Sequence, residues 1–176
     1  MNRLIKTERL ILRTATVEDA QGMIEGRNSP FVLKYNLYPV ATIDDIIYEI
    51  TNIDTVLLTL KETGKIIGCI YVKEDFLRYK VNSLELAAWI AEDYGAKGYM
   101  TEAGIALMRH LFTKEGVKRL TSRVFSENIA SRRINDKLGF EQEGYLPQAA
   151  VNDRGKVFDL ILFSITKERF AELHGI

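Results

Sequence analysis

The stretch Tyr94-Gly95-Ala96-Lys97-Gly98-Tyr99-Met100-Thr101-Glu102-Ala103 constrains the fold of this chain more than any other. It joins a strand-like run, Ser83–Ala91, to a run of helical periodicity, Gly98–Phe112, in which Ala103, Leu107 and Leu111 share one stripe. Gly95, Ala96 and Gly98 strip side-chain bulk from the point where the backbone turns into the helix. Such a turn lets several N–H groups converge on an anion, and the helix dipole adds about half a positive charge there. A pyrophosphate is a natural guest; a tight turn whose glycines only permit the backbone path is the other reading. The patterns GxGxxG and GxxxxGK[ST] are absent, so neither dinucleotide-fold nor P-loop chemistry is supported.

The remaining elements follow from periodicity and punctuation. Ile5–Arg13 begins with a turn-like Thr7-Glu8 and continues as a short strand through Leu10, Ile11 and Leu12. Thr16 is placed to cap a helix to about Gly26, with Glu18 and Asp19 in its first turn. Asn28–Pro39, with Pro30 and Pro39, reads as irregular; Thr42 then caps a second helix with Ile43, Ile46, Ile47 and Ile50 at helical spacing. Thr55–Leu60 and Lys65–Val72 form a hairpin across Lys61–Gly64. Arg119–Phe125 alternates as a strand, and Ile129–Leu138 is a helix closed by Gly139. Phe140–Gln148 and Val157–Ile165 are strands joined across Asn152-Asp153-Arg154-Gly155, and Thr166 is placed to cap a short terminal helix. The order β-α-α-β-β-β-α-β-α-β-β predicts a mixed α/β (α+β) domain with a mostly antiparallel central sheet flanked by helices. Residues 1–176 read most simply as one domain, long enough to bury about 70% of the unfolded surface without a metal or disulfide.

Charge narrows the function classes. Lys+Arg and Asp+Glu are equal at 24 each, so bulk charge directs the chain neither to nucleic acid nor to a membrane. The single cysteine, Cys69, sits in an apolar run and reads as a buried, inert thiol. With two histidines, His110 and His174, and no zinc spacing, no metal site is expected. The lack of an apolar leader or a long apolar run predicts a cytoplasmic protein.

A second polar stretch runs from Ser126 to Phe140. Asn128 is placed either to cap the helix or to point its amide into the cleft beyond the preceding strand, and Ser131 shares its side of the first turn. Together they could hold an amide-bearing ligand; ordinary capping explains them equally simply.

In ordered combination these segments resemble the GNAT acetyltransferases, in the branch of ribosomal-protein N-acetyltransferases. Gly95–Ala103 is similar to the family's acyl-CoA loop, and Asn128–Phe140 to its N-x-x-S…K-L-G-F element. Thr7–Arg13 resembles the opening TERLxLR signature; Glu85–Ile90, Glu143-Gly144 and Asp159 fall at further matching positions. Three positions depart from the pattern: Gly95 stands where Gln or Arg is usual, Ala96 for a frequent glycine, and Met100 for the final small residue. Asn135 occupies the place of a tyrosine that protonates the leaving thiolate in many relatives; the matching Ser131 is the acid used in the ribosomal-protein branch.

The resemblance implies a GNAT domain over 1–176 that transfers an acetyl group from acetyl-CoA to a primary amine, a protein N-terminal amine or a small-molecule amine, without a metal. It implies that the backbone of Trp89, Ile90 and Ala91 pairs with the pantetheine and polarises the acetyl carbonyl. It also implies that Gly95, Ala96, Lys97, Gly98, Tyr99 and Met100 take the pyrophosphate, with Asn128 and Ser131 nearby and Ser131 as donor to the sulfur. Glu85, a carboxylate in an otherwise apolar strand, is the candidate base, acting directly or through water; a solvent-facing carboxylate or a structural salt bridge is the competing reading. Trp89 reads as a core aromatic or a stacking platform, His110 as a packing residue, and Phe31, Tyr35 and Tyr38 as a lid or acceptor-pocket lining. Arg132-Arg133 suits either an adenosine 3′-phosphate or a solvated helix face. Gly95, Met100 and Asn135 keep open an acyl-CoA binding or sensing module that performs no chemistry, and an exposed sheet edge leaves room for a homodimer.

Overall fold

The computed structural model describes residues 2–176. It opens with a hairpin, β1 (Leu4–Lys6) and β2 (Leu10–Thr14). Helices α1 (Ala20–Arg27), α2 (Pro30–Leu33) and α3 (Ile43–Asn52) follow, then β3 (Asp54–Leu60), β4 (Ile66–Glu74) and β5 (Ser83–Ile90). Next come α4 (Tyr99–Lys114), β6 (Arg119–Phe125), α5 (Ile129–Leu138), β7 (Glu141–Val151), β8 (Val157–Thr166) and α6 (Lys167–His174). The eight strands form one sheet in the order β1-β2-β3-β4-β5-β6-β8-β7. Every described pairing is antiparallel except β5 with β6.

The mixed, mostly antiparallel architecture matches the expectation, with two corrections to element order. Thr7-Glu8 is a true hairpin turn, so the first strand is two; β1 is only three residues long and has too few alternations to register as a separate strand. The segment 28–39 is not wholly irregular, because Ser29 caps α2 and Pro30 stands in its first turn, where a missing N–H costs nothing. The capping box of Thr42 with Asp45, the Thr166 cap of α6 and the left-handed Gly139 after α5 are as read from the sequence.

Two apolar clusters sandwich the sheet. On one face α4, α5 and α6 bury Leu107, Met108, Leu111, Phe112 and Phe170 against Leu10, Leu12, Val56 and Leu120. On the other, Met23, Ile46, Leu57, Cys69 and Trp89 form a smaller cluster beneath α1 and α3. Burial pushes the Cys69 thiol up to about 12, which makes it the inert packing group expected. Helices α4 and α5 approach closely because Gly104 offers no side chain; a Cβ there would meet Leu138 at 2.8 Å.

Arg3, only 3% exposed, ties the first hairpin to the rest of the sheet. Its guanidinium reaches Asp54 at 2.6 Å and Glu115 at 2.6 Å, and His110 stands 3.2 Å from the same Glu115. Arg3 holds the Glu115 carboxyl below its ordinary range, outweighing burial, which acts the other way.

Arg3→Ala is expected to cost about 3–5 kcal/mol in denaturant unfolding, because it leaves a buried carboxylate without its partner. A carboxyl held low in the fold stabilises it above the unfolded value near 4.3, and that contribution is lost as pH falls through the lower folded value. Stability of the native chain should therefore drop between about pH 4.3 and the strongly acid range, and a Glu115→Gln variant should show a shallower drop.

Candidate active site

The parallel pair β5/β6 is short. Only Ser83, Leu84 and Glu85 pair with Arg119, Leu120 and Thr121. Beyond that point β6 continues beside β8 through Phe125, while β5 continues beside β4 through Ile90. The two strands therefore splay, and the edge of β5 from Leu86 to Ile90 faces a gap rather than a strand. A cavity of about 850 Å³ opens there, lined on the β5 side by Leu86, Ala87, Ala88, Trp89 and Ile90 and on the β6 side by Ser122. Backbone N–H and C=O groups at such an edge need partners, and an extended ligand with amide groups can supply them.

At one end of the gap lies the turn into α4. Ala96 and Gly98 are both left-handed, with φ of 57° and 82°. Among the described residues no group accepts from the amides of Ala96 to Thr101, whereas the Gly95 amide donates to the Glu92 carbonyl at 2.9 Å. A run of free N–H groups at the start of a sixteen-residue helix has the geometry of an anion cradle. Gly95 thus shapes the turn, and the free amides begin one residue later. Of this loop only Met100 lines the cavity itself, so the cradle sits at its rim.

The first hairpin holds that cradle in place. The Glu102 carboxylate accepts from the Thr7 hydroxyl at 2.5 Å, the Arg9 amide at 2.8 Å and Arg9 Nε at 2.7 Å. Arg9 Nη1 donates to the Lys97 carbonyl at 3.0 Å, and the guanidinium lies 4.1 Å from the centre of the Tyr99 ring. Burial opposes the Glu102 charge, but these donors prevail and hold its carboxyl below the usual range. Thr7–Arg13 and Gly95–Ala103, far apart in the chain, therefore grip each other in the fold.

Helix α5 supplies the far wall. Asn128 Oδ1 accepts from the Ser131 amide at 3.1 Å, so it caps the helix and lines the cavity at once. The buried Asn135 donates from Nδ2 to the Ser131 carbonyl at 3.1 Å. No hydrogen bond engages the Ser131 hydroxyl among the described residues, and Ser131 lines the cavity. Arg132 is tethered to the Ser126 carbonyl at 3.3 Å, while Arg133 is exposed.

Other sequence-selected residues fall differently. Glu85 is 8% exposed but does not line the cavity; Arg123 Nη2 meets its Oε2 at 2.6 Å across the point where β5 and β6 part. Ala91 is likewise off the cavity, its amide bonded to the Ile67 carbonyl at 2.8 Å. Trp89 belongs to the smaller core cluster and also lines the cavity. Phe31, Tyr35 and Tyr38 line it too, with Tyr35 stacked on Phe125.

Among the cavity groups not expected from the sequence, Arg27, Glu49 and Tyr71 form a network. Tyr71 donates to Glu49 at 2.8 Å and accepts from Trp89 Nε1 at 3.2 Å, while Arg27 Nη2 donates to Glu49 at 3.2 Å. Burial and the neighbouring Glu49 charge push the Tyr71 hydroxyl well up, so it stays a donor. Arg27 ends a helix legible from its Thr16 cap and acidic first turn, and Glu49 lies on one legible from its isoleucine spacing; nothing local to either marks them as paired.

Residues 9–141 match the acetyltransferase (GNAT) domain family. The uncharacterized N-acetyltransferase p20 of Bacillus licheniformis is 27% identical over 94% of this chain and 97% of its own length. A GNAT-family acetyltransferase from Bacillus anthracis has a crystal structure that superposes with a TM-score of 0.84 at 23% identity, covering 94% of this chain and 99% of that one. RimJ of Mycobacterium smegmatis, solved in complex with CoA-disulfide, gives a TM-score of 0.81 at 19% identity over 95% and 87% of the two chains.

Glu102→Gln should loosen the grip of the first hairpin on the cradle. The loss of a charge-assisted contact of about 1.4 kcal/mol predicts roughly tenfold weaker coenzyme A binding by calorimetry. An unchanged Kd would mean that the amides of Ala96–Thr101 are held without the Thr7/Arg9 clamp.

Proposed function

This chain belongs to the GNAT acetyltransferase family, and from that membership and the geometry of the gap we propose that it transfers an acetyl group from acetyl-CoA to a primary amine by direct attack on the thioester. The acceptor is a protein N-terminal amine, such as that of a ribosomal protein, or a small-molecule amine. Residues 1–176 act as one domain, and the reaction as proposed uses no metal. No helix among them is long and apolar enough to cross a membrane.

The observation that carries this reading is the unpaired edge of β5 lying between free amides at the start of α4 and a free hydroxyl on α5. The amides from Ala96 to Met100 take the pyrophosphate, and Lys97 adds charge. The edge from Trp89 to Ile90 pairs with the pantetheine arm and orients the acetyl carbonyl. This leaves the thioester facing the aromatic side of the cavity, where the acceptor sits beneath Tyr35 and Tyr38. Holding both reactants in a near-attack pose supplies several kcal/mol of the barrier reduction.

The amine nitrogen attacks the carbonyl carbon, the C–S bond breaks, and the departing sulfur takes a proton from the Ser131 hydroxyl, which regains one from the acylated nitrogen as the amide forms. The proton released by the ammonium passes through water toward Glu85, which is off the cavity and cannot take it directly. The Glu85–Arg123 pair favours a second reading of that residue, as a brace that fixes the point where β5 and β6 part. The absence of chemistry in a pure acyl-CoA sensor is the alternative at the level of the whole protein; Asn135 in place of a tyrosine acid is the residue that favours it.

Acetyl-CoA should raise Tm, since a ligand that binds only the native state stabilises it. Thiol release with a panel of peptides and small amines then separates transferase from sensor. Ser131→Ala should lower kcat by about 100-fold with little change in acetyl-CoA affinity. Glu85→Gln should lower kcat while Tm holds; a fall in Tm with kcat preserved would assign Glu85 to the brace.

A further inference from the structure

Resting on the transferase reading, we propose that the donor is not limited to acetyl: the site also takes coenzyme A thioesters of short, uncharged, straight acyl chains such as butyryl, whose tails lie in an apolar chamber below Ser131. The cavity passes through the split in the sheet. On one face it is lined by Trp89 of the smaller cluster, on the other by Leu86, Met100, Leu138 and Phe140 of the larger one. The register sets the depth of that second part. Leu86 and Ser122 are the first residues beyond the last parallel pair, Glu85 with Thr121, and both line the cavity, so they form its floor. Ser122 lies between Leu120 and Val124 of the larger cluster, on the same side of β6. Helix α5 descends to that level, because Glu141, just after Phe140, pairs with Ser164, which pairs with Thr121. Ser131 and Leu138 lie two turns apart on α5 and both line the cavity. The chamber therefore continues for about 10 Å past the Ser131 hydroxyl.

The path of the coenzyme makes this the acyl end. With the diphosphate at the amides of Ala96–Met100 and the sulfur at Ser131, the pantetheine arm fills the upper part of the gap. The acceptor attacks from the aromatic side, so the acyl substituent is directed down the gap, where an acetyl methyl leaves most of the chamber empty. Below Ser131 the lining is apolar apart from Ser122 and Asn135, and neither carries a charge. The charged groups of the cavity belong to the other side: Arg27 on α1, Asp45 and Glu49 on α3, Lys34 just after α2, and Lys73 over the Tyr71 ring. Moving methylenes from water onto such walls is favourable, whereas a dicarboxylic acyl group such as succinyl would bury a carboxylate with no cation to meet it. The transfer step is the same as for acetyl: the N–C bond forms, the C–S bond breaks and the thiol leaves.

Calorimetric titration of the whole chain with acetyl-, butyryl- and succinyl-CoA tests this. Butyryl-CoA, with two more methylenes, should bind about tenfold more tightly than acetyl-CoA, and succinyl-CoA no more tightly than acetyl-CoA. Ser122→Leu, which fills the floor, should bring the ratio of the butyryl and acetyl affinities to about one. The inference is overturned if acetyl-CoA binds the native chain as tightly as butyryl-CoA, if succinyl-CoA gains as much as butyryl-CoA, or if a folded Ser122→Leu keeps the native ratio. Where Ser122→Leu does not fold, the native titrations decide. Thiol release with a panel of amines tests the underlying reading separately. Release from acetyl-CoA with no gain in affinity for butyryl-CoA sinks the chamber and leaves the transferase; a butyryl preference in binding without release from either thioester sinks the transferase and leaves the chamber.

Discussion

Two neighbouring parallel strands that stop pairing after three residues generate most of what is distinctive in this molecule. An edge inside a sheet leaves polar backbone groups without partners, a state that closed sheets avoid. Here the cost is contained because each strand keeps its other neighbour: β4 supports β5 to Ile90 and β8 supports β6 to Phe125. The gap is thus built from rigid parts and needs no flexible segment to stay open. It also sets the position of everything else at the site, since α4 leaves from the end of β5 and α5 from the end of β6.

The two faces of the sheet divide the labour. The larger core, under α4 and α5, fixes the anion cradle and the Ser131 helix relative to each other through the close contact at Gly104 and Leu138. The smaller core, under α1 and α3, carries the network of Arg27, Glu49, Tyr71 and Trp89. Changes on the second face can reshape the acceptor side while leaving the first face intact. This is a physical reason why one fold can serve many acceptors.

The elements most legible in the sequence were those with local signals. Helix α5 begins and ends where its asparagine cap and glycine stop predict, and Thr42 and Thr166 cap as read. The glycine-light turn after β5 was legible as a turn into a helix, and its free amides begin at Ala96 because that of Gly95 donates to the Glu92 carbonyl. What was not legible depends on contacts between distant residues. The Arg123 partner of Glu85 comes from another strand, and only the register at the split brings the two together. The Arg27–Glu49–Tyr71 network joins two helices and a strand, and nothing within any one of these segments marks its polar member as paired. Helix α2 was passed over because four residues are too few for any periodicity to show.

The depth of Cys69 has a practical consequence. Its sulfur lies beneath Trp89 in the smaller core with no exposed surface, and its proton is held until about pH 12. Maleimides, iodoacetamide and aromatic disulfide dyes all require an accessible thiolate, so the folded chain should be silent toward them. Any colour or label that develops in a reaction mixture then reports the coenzyme alone, and the same reagents become a sensitive signal that the domain has opened.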